Sequence, residues 1–191
     1  MIDRLVRALG GIWMAAEHGA LLRQPGSKEW TPLRSGTDVE WKERVRPVLE
    51  HFAARAPGST VEDKAFGLAW HYRLVEPEFG DWLATEVASA LDQQLVGTDL
   101  TVLRGNKVVE VRFGWANKGE VAAHIASIGP SADFELAIGD DRTDEDLFAR
   151  HSADAWTIRV ESGTTRARYV IPTPKAALSL LAALTGAPAR R

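Results

Sequence analysis

The chain has 191 residues, 45% of them apolar and 26% charged, with a formal net charge of −3 and no cysteine. That balance is one of a globular protein of one or two domains and excludes a general nucleic-acid binder, which needs a strong basic excess. No apolar run approaches the 18 residues of a membrane span, and no thiolate metal site or disulfide scaffold is possible. The absence of cysteine fits a cytoplasmic protein.

In chain order, Ile2–Leu9 has the spacing of a short helix, and Met1–Gly10 lacks the unbroken apolar centre of a signal peptide. Ile12–Ala16 and Ala20–Arg23 are short apolar runs expected as strands, separated by Glu17-His18-Gly19. Trp41–Arg55 is an amphipathic helix, with Trp41, Val45, Val48 and Phe52 at helical spacing, closed by Pro57-Gly58. Thr60–Lys64 and Phe66–Arg73 follow as a strand pair. Pro77 then opens a helix over Glu78–Leu95, with Trp82, Val87 and Leu91 expected inward. Asp99–Arg104 and Lys107–Phe113 alternate around Gly105-Asn106, a hairpin signal. The stretch 41–113 thus reads α-β-β-α-β-β, helices stacked on one face of an antiparallel sheet.

From Asn117 the rhythm changes to helix (Val121, Ile125 and Ile128 inward), strand Phe134–Ile138, a polar loop entering a helix, strand Trp156–Val160, and helix Pro174–Leu184. Helices alternating with strands predict a parallel α/β layer. The expected fold class is α/β, a partial Rossmann-like core interrupted by an α+β insert. The expected domains are residues 1–30 and 114–191 as core and 31–113 as cap. An insert between two core segments is a common route to a lid over a site. The seven tryptophans are expected mainly in packing rather than in sugar stacking.

The densest polar cluster is Gly139-Asp140-Asp141-Arg142-Thr143-Asp144-Glu145-Asp146, at the end of an apolar strand. Parallel sheets bind ligands at the carboxyl ends of their strands, and clustered carboxylates there suit a hard cation such as Mg²⁺. Acids at a helix start account for Asp144–Asp146. Adjacent Asp140 and Asp141 at a buried strand end repel one another unless a cation intervenes. Thr143 is expected to cap the following helix, with Asp146 near a capping-box position. In Asn117-Lys118-Gly119, a lysine at a positive helix N-terminus is reconciled by a bound phosphate. Glu110 lies among valines inside a strand and needs a partner. That partner is either a polyhydroxylated ligand or a cross-strand ion pair of Glu62 or Glu110 with Lys64 or Arg112.

Asn117-Lys118-Gly119 followed by Gly139–Asp146 resembles the third and fourth motifs of haloacid-dehalogenase-type phosphatases. More narrowly, the chain resembles the trehalose-6-phosphate phosphatase family. The stretches that carry this are Ala16-Glu17-His18-Gly19 with Arg23, Pro57-Gly58-Ser59 with Val61–Lys64, Leu68–Arg73, and Val108–Arg112. The resemblance implies Mg²⁺-dependent removal of phosphate from trehalose 6-phosphate, with Asp140 as the metal ligand and Asp141 or Asp144 supporting. It implies that Lys118 neutralises charge on the phosphoryl group. It further implies that Glu17, His18, Arg23, Lys64, Arg73, Glu110 and Asn117 belong to the substrate site, and that a trehalose-phosphate synthase is a possible partner. The family's nucleophile lies in an Asp-x-Asp-Gly-Thr motif. The only Asp-x-Asp here is Asp144–Asp146, followed by Leu147, so the 191 residues are expected to be an inactive portion of the phosphatase. A natural non-catalytic binding module and a phosphatase of another sugar phosphate are the alternatives.

Overall fold

The computed structural model describes residues 11–151 and 154–186. The helix expected over Ile2–Leu9 and the last five residues lie outside that range. The chain divides into two compact units, Met1–Ala116 and Asn117–Arg191.

The first unit begins with a small antiparallel sheet of β1 (Met14–Ala16), β2 (Leu21–Arg23) and β3 (Thr31–Pro32), in that order. Between β1 and β2 runs a tight turn, Glu17–Gly19, with three consecutive positive φ angles of 49°, 58° and 111°. Two of those residues carry side chains in a region that normally costs a non-glycine residue stability. The turn is therefore a strained feature held by its surroundings.

Helix α1 (Trp41–Arg55) and helix α2 (Pro77–Gln94) cover one face of a four-stranded antiparallel sheet ordered β4 (Thr60–Asp63), β5 (Gly67–His71), β7 (Val108–Phe113), β6 (Leu100–Gly105). Strand alternation decides which residues meet the helices. Leu68 and Trp70 of β5 stand beside Val111 and Val109 of β7, and all four are fully buried with Val45, Leu49, Leu83, Val87 and Leu91. The same alternation puts Ala69, Glu110 and Arg112 on the opposite face. The expected α-β-β-α-β-β arrangement is the one observed.

Two local expectations change. Trp82 is not inward: it is 51% exposed and stacks on Phe79 at 5.9 Å, while Leu83 takes the core position. One residue of phase on a helix is 100°, and Trp82 and Leu83 are both apolar, so periodicity alone could not choose between them. The β6–β7 turn is Asn106-Lys107, with Gly105 the last strand residue, paired with Val108. Lys107 adopts the left-handed conformation there.

The second unit holds α3 (Lys118–Ile128), β8 (Leu136–Gly139), α4 (Asp144–Arg150), β9 (Trp156–Val160), β10 (Tyr169–Ile171) and α5 (Pro174–Thr185). The three strands form a parallel sheet ordered β10-β9-β8, as the helix–strand alternation requires. Strand β10 was not anticipated; it joins β9 through residues 161–168 without a helix. Two boundaries also differ. Ile128 is 55% exposed instead of inward, and the strand expected from Phe134 starts at Leu136, leaving Phe134 exposed.

Candidate active site

In the second unit, β8 ends at Gly139 and releases Asp140 and Asp141 into the turn that starts α4. The chain can make this exit only without a side chain at 139. A Cβ there would lie 2.1 Å from Asp144 Cγ and 2.5 Å from its Oδ2. Asp144 is folded back onto the strand end, 3% exposed. Its Oδ2 accepts the backbone N–H groups of Asp140 (3.0 Å) and Asp141 (3.1 Å), and its Oδ1 accepts from Lys118 Nζ at 2.6 Å. Lys118 Nζ also stands 3.8 Å from Asp141 Oδ1. Lys118 is brought in by the packing of α3 on α4, which is close enough that a Cβ on Gly119 would meet the Asp146 carbonyl oxygen at 2.4 Å.

Two expectations about this loop are corrected. Asp140 and Asp141 are both exposed, so they are not forced together at a buried strand end; the buried acid is Asp144. Nor does Thr143 cap α4 with its side chain. Its hydroxyl donates to Asp141 Oδ1 at 2.6 Å, and that same oxygen accepts the N–H of Thr143 (2.8 Å) and of Asp144 (3.2 Å). Asp141 therefore does the capping. Partial burial works to raise the Asp141 carboxyl, but the Thr143 hydroxyl and the Lys118 charge outweigh it and hold it below the usual carboxylate range. Asn117 caps α3, its Oδ1 accepting from Glu120 N at 2.9 Å.

Ligand oxygens of Asp140, Asp141 and Asp144 lie within 4.8 Å of one another. Three carboxylates at that spacing are a hard-oxygen donor set of the kind Mg²⁺ selects. Lys118 sits against the same acids as a fixed positive charge.

Glu145 was not singled out in the sequence. Its Oε1 accepts from Arg159 at 3.0 Å and its Oε2 from Arg166 N at 2.7 Å, tying the β9–β10 connection to the first turn of α4. Burial works to raise the Glu145 carboxyl, but the Arg166 N–H, the Thr165 hydroxyl and Arg159 together lower it.

In the first unit two of the sugar-site candidates, His18 and Lys64, meet at a third, Glu110. Its Oε1 accepts from Lys64 Nζ at 2.9 Å, and its Oε2 lies 3.1 Å from His18 Nε2. Its side chain is 6% exposed. Burial works to raise this carboxyl, yet His18 and Lys64 over-compensate and bring it down to about 2. The cross-strand alternative thus holds for the pair Glu110–Lys64, while Glu62 pairs with His71 at 2.7 Å. Glu17 spends both carboxylate oxygens on the β4–β5 turn, accepting the N–H of Ala65 (3.0 Å) and of Phe66 (2.8 Å). Lys42 of α1, also missed, meets the same turn from another side. Its Nζ donates to Asp63 Oδ1 (2.8 Å), to the Ala65 carbonyl (3.0 Å) and to the Lys64 carbonyl. No local pattern in α1 marks Lys42; its role is a tertiary contact. Arg23 lies elsewhere, its guanidinium 5.3 Å over Trp30 and 2.6 Å from Met14 Sδ. Arg73 is exposed in the turn after β5.

At the level of fold the chain is similar to a haloacid dehalogenase-like hydrolase from Bacteroides thetaiotaomicron, with a TM-score of 0.63 at 15% identity, over 90% of this chain and 77% of that one. The chain belongs to the trehalose-phosphatase family, whose sequence model matches residues 3–169. It is 38% identical over 170 residues to the bifunctional trehalose-6-phosphate synthase/phosphatase of Thermoproteus tenax, covering 89% of this chain and 23% of that protein. It is 33% identical over 187 residues to a trehalose-phosphatase of Schizosaccharomyces pombe, covering 91% and 23%. Among solved structures it is similar to the C-terminal domain of Candida albicans trehalose-6-phosphate phosphatase, with a TM-score of 0.82 at 28% identity, over 97% of this chain and 75% of that one. The chain spans less than a quarter of the length of the curated relatives it matches.

Proposed function

We propose that this chain is part of a Mg²⁺-dependent phosphatase acting on trehalose 6-phosphate. The observation that carries the reading is the Lys118–Asp144 ion pair, set among the exposed carboxylates of Asp140 and Asp141 at the end of a parallel strand. In this reading Asp140 ligates Mg²⁺ directly, and Asp141 and Asp144 support it. The cation would supply charge neutralisation to the non-bridging phosphoryl oxygens. Lys118 holds a positive charge beside the same oxygens, and Asp144 keeps its ammonium aimed. Asn117 orients the first turn of α3, whose N-terminus favours an anion. Glu17, His18, Lys64 and Glu110, with Arg23 and Arg73, are assigned to the sugar. The domain assignment, residues 1–30 and 114–191 as core and 31–113 as cap, belongs to this proposal. So does a trehalose-phosphate synthase as partner, which the bifunctional relative from Thermoproteus tenax supports.

The reaction also needs a nucleophile, and no Asp-x-Asp-Gly-Thr motif occurs in the 191 residues. The second reading is a module that binds trehalose 6-phosphate without hydrolysing it. The deciding experiment measures phosphate release from trehalose 6-phosphate, sucrose 6-phosphate and mannose 6-phosphate with and without Mg²⁺. It uses this chain and the longest natural polypeptide that contains it. The phosphatase reading expects Mg²⁺-dependent release by the longer polypeptide, selective for trehalose 6-phosphate and abolished by Lys118→Met or Asp140→Asn. Tight binding of trehalose 6-phosphate without release by either protein favours the module. A preference for another sugar phosphate overturns the substrate.

A further inference from the structure

The β4–β5 turn carries Lys64, and it is gripped from two sides by groups outside the hairpin. Glu17 takes the two N–H groups of Ala65 and Phe66, which point one way. Lys42 takes the carbonyls of Lys64 and Ala65, which point the other way, and the Asp63 carboxylate that closes β4. Arg46, one helical turn beyond Lys42, takes the second oxygen of Asp63 at 2.5 Å. A hairpin turn of four residues needs no such help to form. Its own Lys64 N–H already bonds the Gly67 carbonyl at 3.0 Å. What the extra contacts fix is where the backbone of residue 64 stands, and so where its ammonium meets Glu110. Gly67 leaves room for that meeting, since a Cβ there would sit 3.2 Å from Glu110 Oε1. The Lys42 side chain is itself only 12% exposed, so its ammonium has given up most of its water for these three oxygens.

We infer that Lys42 is a positioning residue for ligand recognition. By clamping the Asp63–Ala65 backbone it holds the Lys64 ammonium on Glu110 in the geometry that reads a sugar hydroxyl. This rests on the assignment of Lys64 and Glu110 to the sugar. Lys42 acts through the turn, and a hydroxyl group of the disaccharide is the chemistry the pair is built to meet, one carboxylate acceptor beside one ammonium donor.

The test compares the full chain with its Lys42→Met and Lys42→Arg variants by NMR, using trehalose as probe so that the phosphate and cation play no part. In Lys42→Met the Glu110 carboxyl titrates at a higher pH than in the parent, and the amides of Ala65 and Phe66 exchange faster. Trehalose then binds about tenfold more weakly, the scale of losing one hydrogen bond to a sugar hydroxyl. Lys42→Arg, which keeps a donor on α1, recovers most of the binding. An unchanged Glu110 titration in Lys42→Met overturns the inference, as does a shifted titration with unchanged trehalose affinity. If trehalose perturbs neither Lys64 nor Glu110 in the parent chain, the sugar assignment itself fails, and the role of Lys42 fails with it. Should Lys42→Met not fold, Asp63→Ala removes the carboxylate to which Lys42 and Arg46 donate, loosens the same turn from the other side, and is read in the same way.

Discussion

Glu110 combines burial with a depressed carboxyl, and the sign of its contribution follows. Its folded value of about 2 lies below its ordinary 4.5. The stability it contributes is therefore complete above pH 4.5 and is lost as the pH falls toward 2. The size is about 3 kcal/mol from a shift of that order. Glu110→Gln is expected to lower stability at pH 7 by about that amount and to flatten the decline between pH 4.5 and 2, as urea denaturation across that range would show. A parallel decline in both proteins would mean that His18 and Lys64 do not hold the carboxylate. At this scale much was legible in the sequence. A glutamate between valines announces a partner, and Glu110 has two in Lys64 and His18; the anion expected from a lysine at a helix N-terminus belongs to the proposed function. Lys42 and Glu145 were not legible, because each acts on a backbone remote in sequence, and neither interrupts a pattern in its own helix.

Among elements, the β8–α4 junction is the most constrained. Asp144 occupies the space a side chain at 139 would fill, so Gly139→Ala must displace either the strand end or the carboxylate. Overpacking of this kind costs about 1–3 kcal/mol. Gly139→Ala is expected to lower the melting temperature. It should also move the amide resonances of Asp140 and Asp141, whose N–H groups lose their acceptor. Unchanged shifts would show that the loop absorbs the methyl group without moving Asp144. The sequence marked this loop correctly as a polar strand exit but misassigned its parts. Capping roles were read from the residue adjacent to the helix, whereas the three donors converge on Asp141 two residues earlier. Periodicity likewise found the helices but not the rotation that buries Leu83 over Trp82. It also missed β10, a three-residue strand with no alternation long enough to register.

For the molecule as a whole, the buried cluster runs from Trp41 to Val111 and lies entirely within the first unit. In the second, α5 buries Ala177 while Leu178, Leu181 and Leu184 are exposed, as are Trp156, Tyr169 and Val170 of the parallel sheet. Burial of apolar area is the main source of stability, so the two units should not open together. Hydrogen exchange on the full chain is expected to find the slowest amides in β5, β7 and α2 and the fastest of the regular elements in α5. Equal protection across both units would contradict this. The change in rhythm near Gly114 had announced the change of architecture, because helix–strand alternation and hairpin patterns demand different sheets.

The stacked pair Trp156–Tyr169, 5.1 Å apart on the parallel sheet, makes the chain optically lopsided. Six of its seven tryptophans, at 13, 30, 41, 70, 82 and 115, precede Asn117, and Trp156 alone follows it. Intrinsic fluorescence will therefore report almost wholly on the sugar-assigned unit and say little about the loop that carries Asp140. A Trp156→Phe variant would make the emission blind to the second unit, and the difference between the two spectra would be a single-site signal for the phosphate-assigned half.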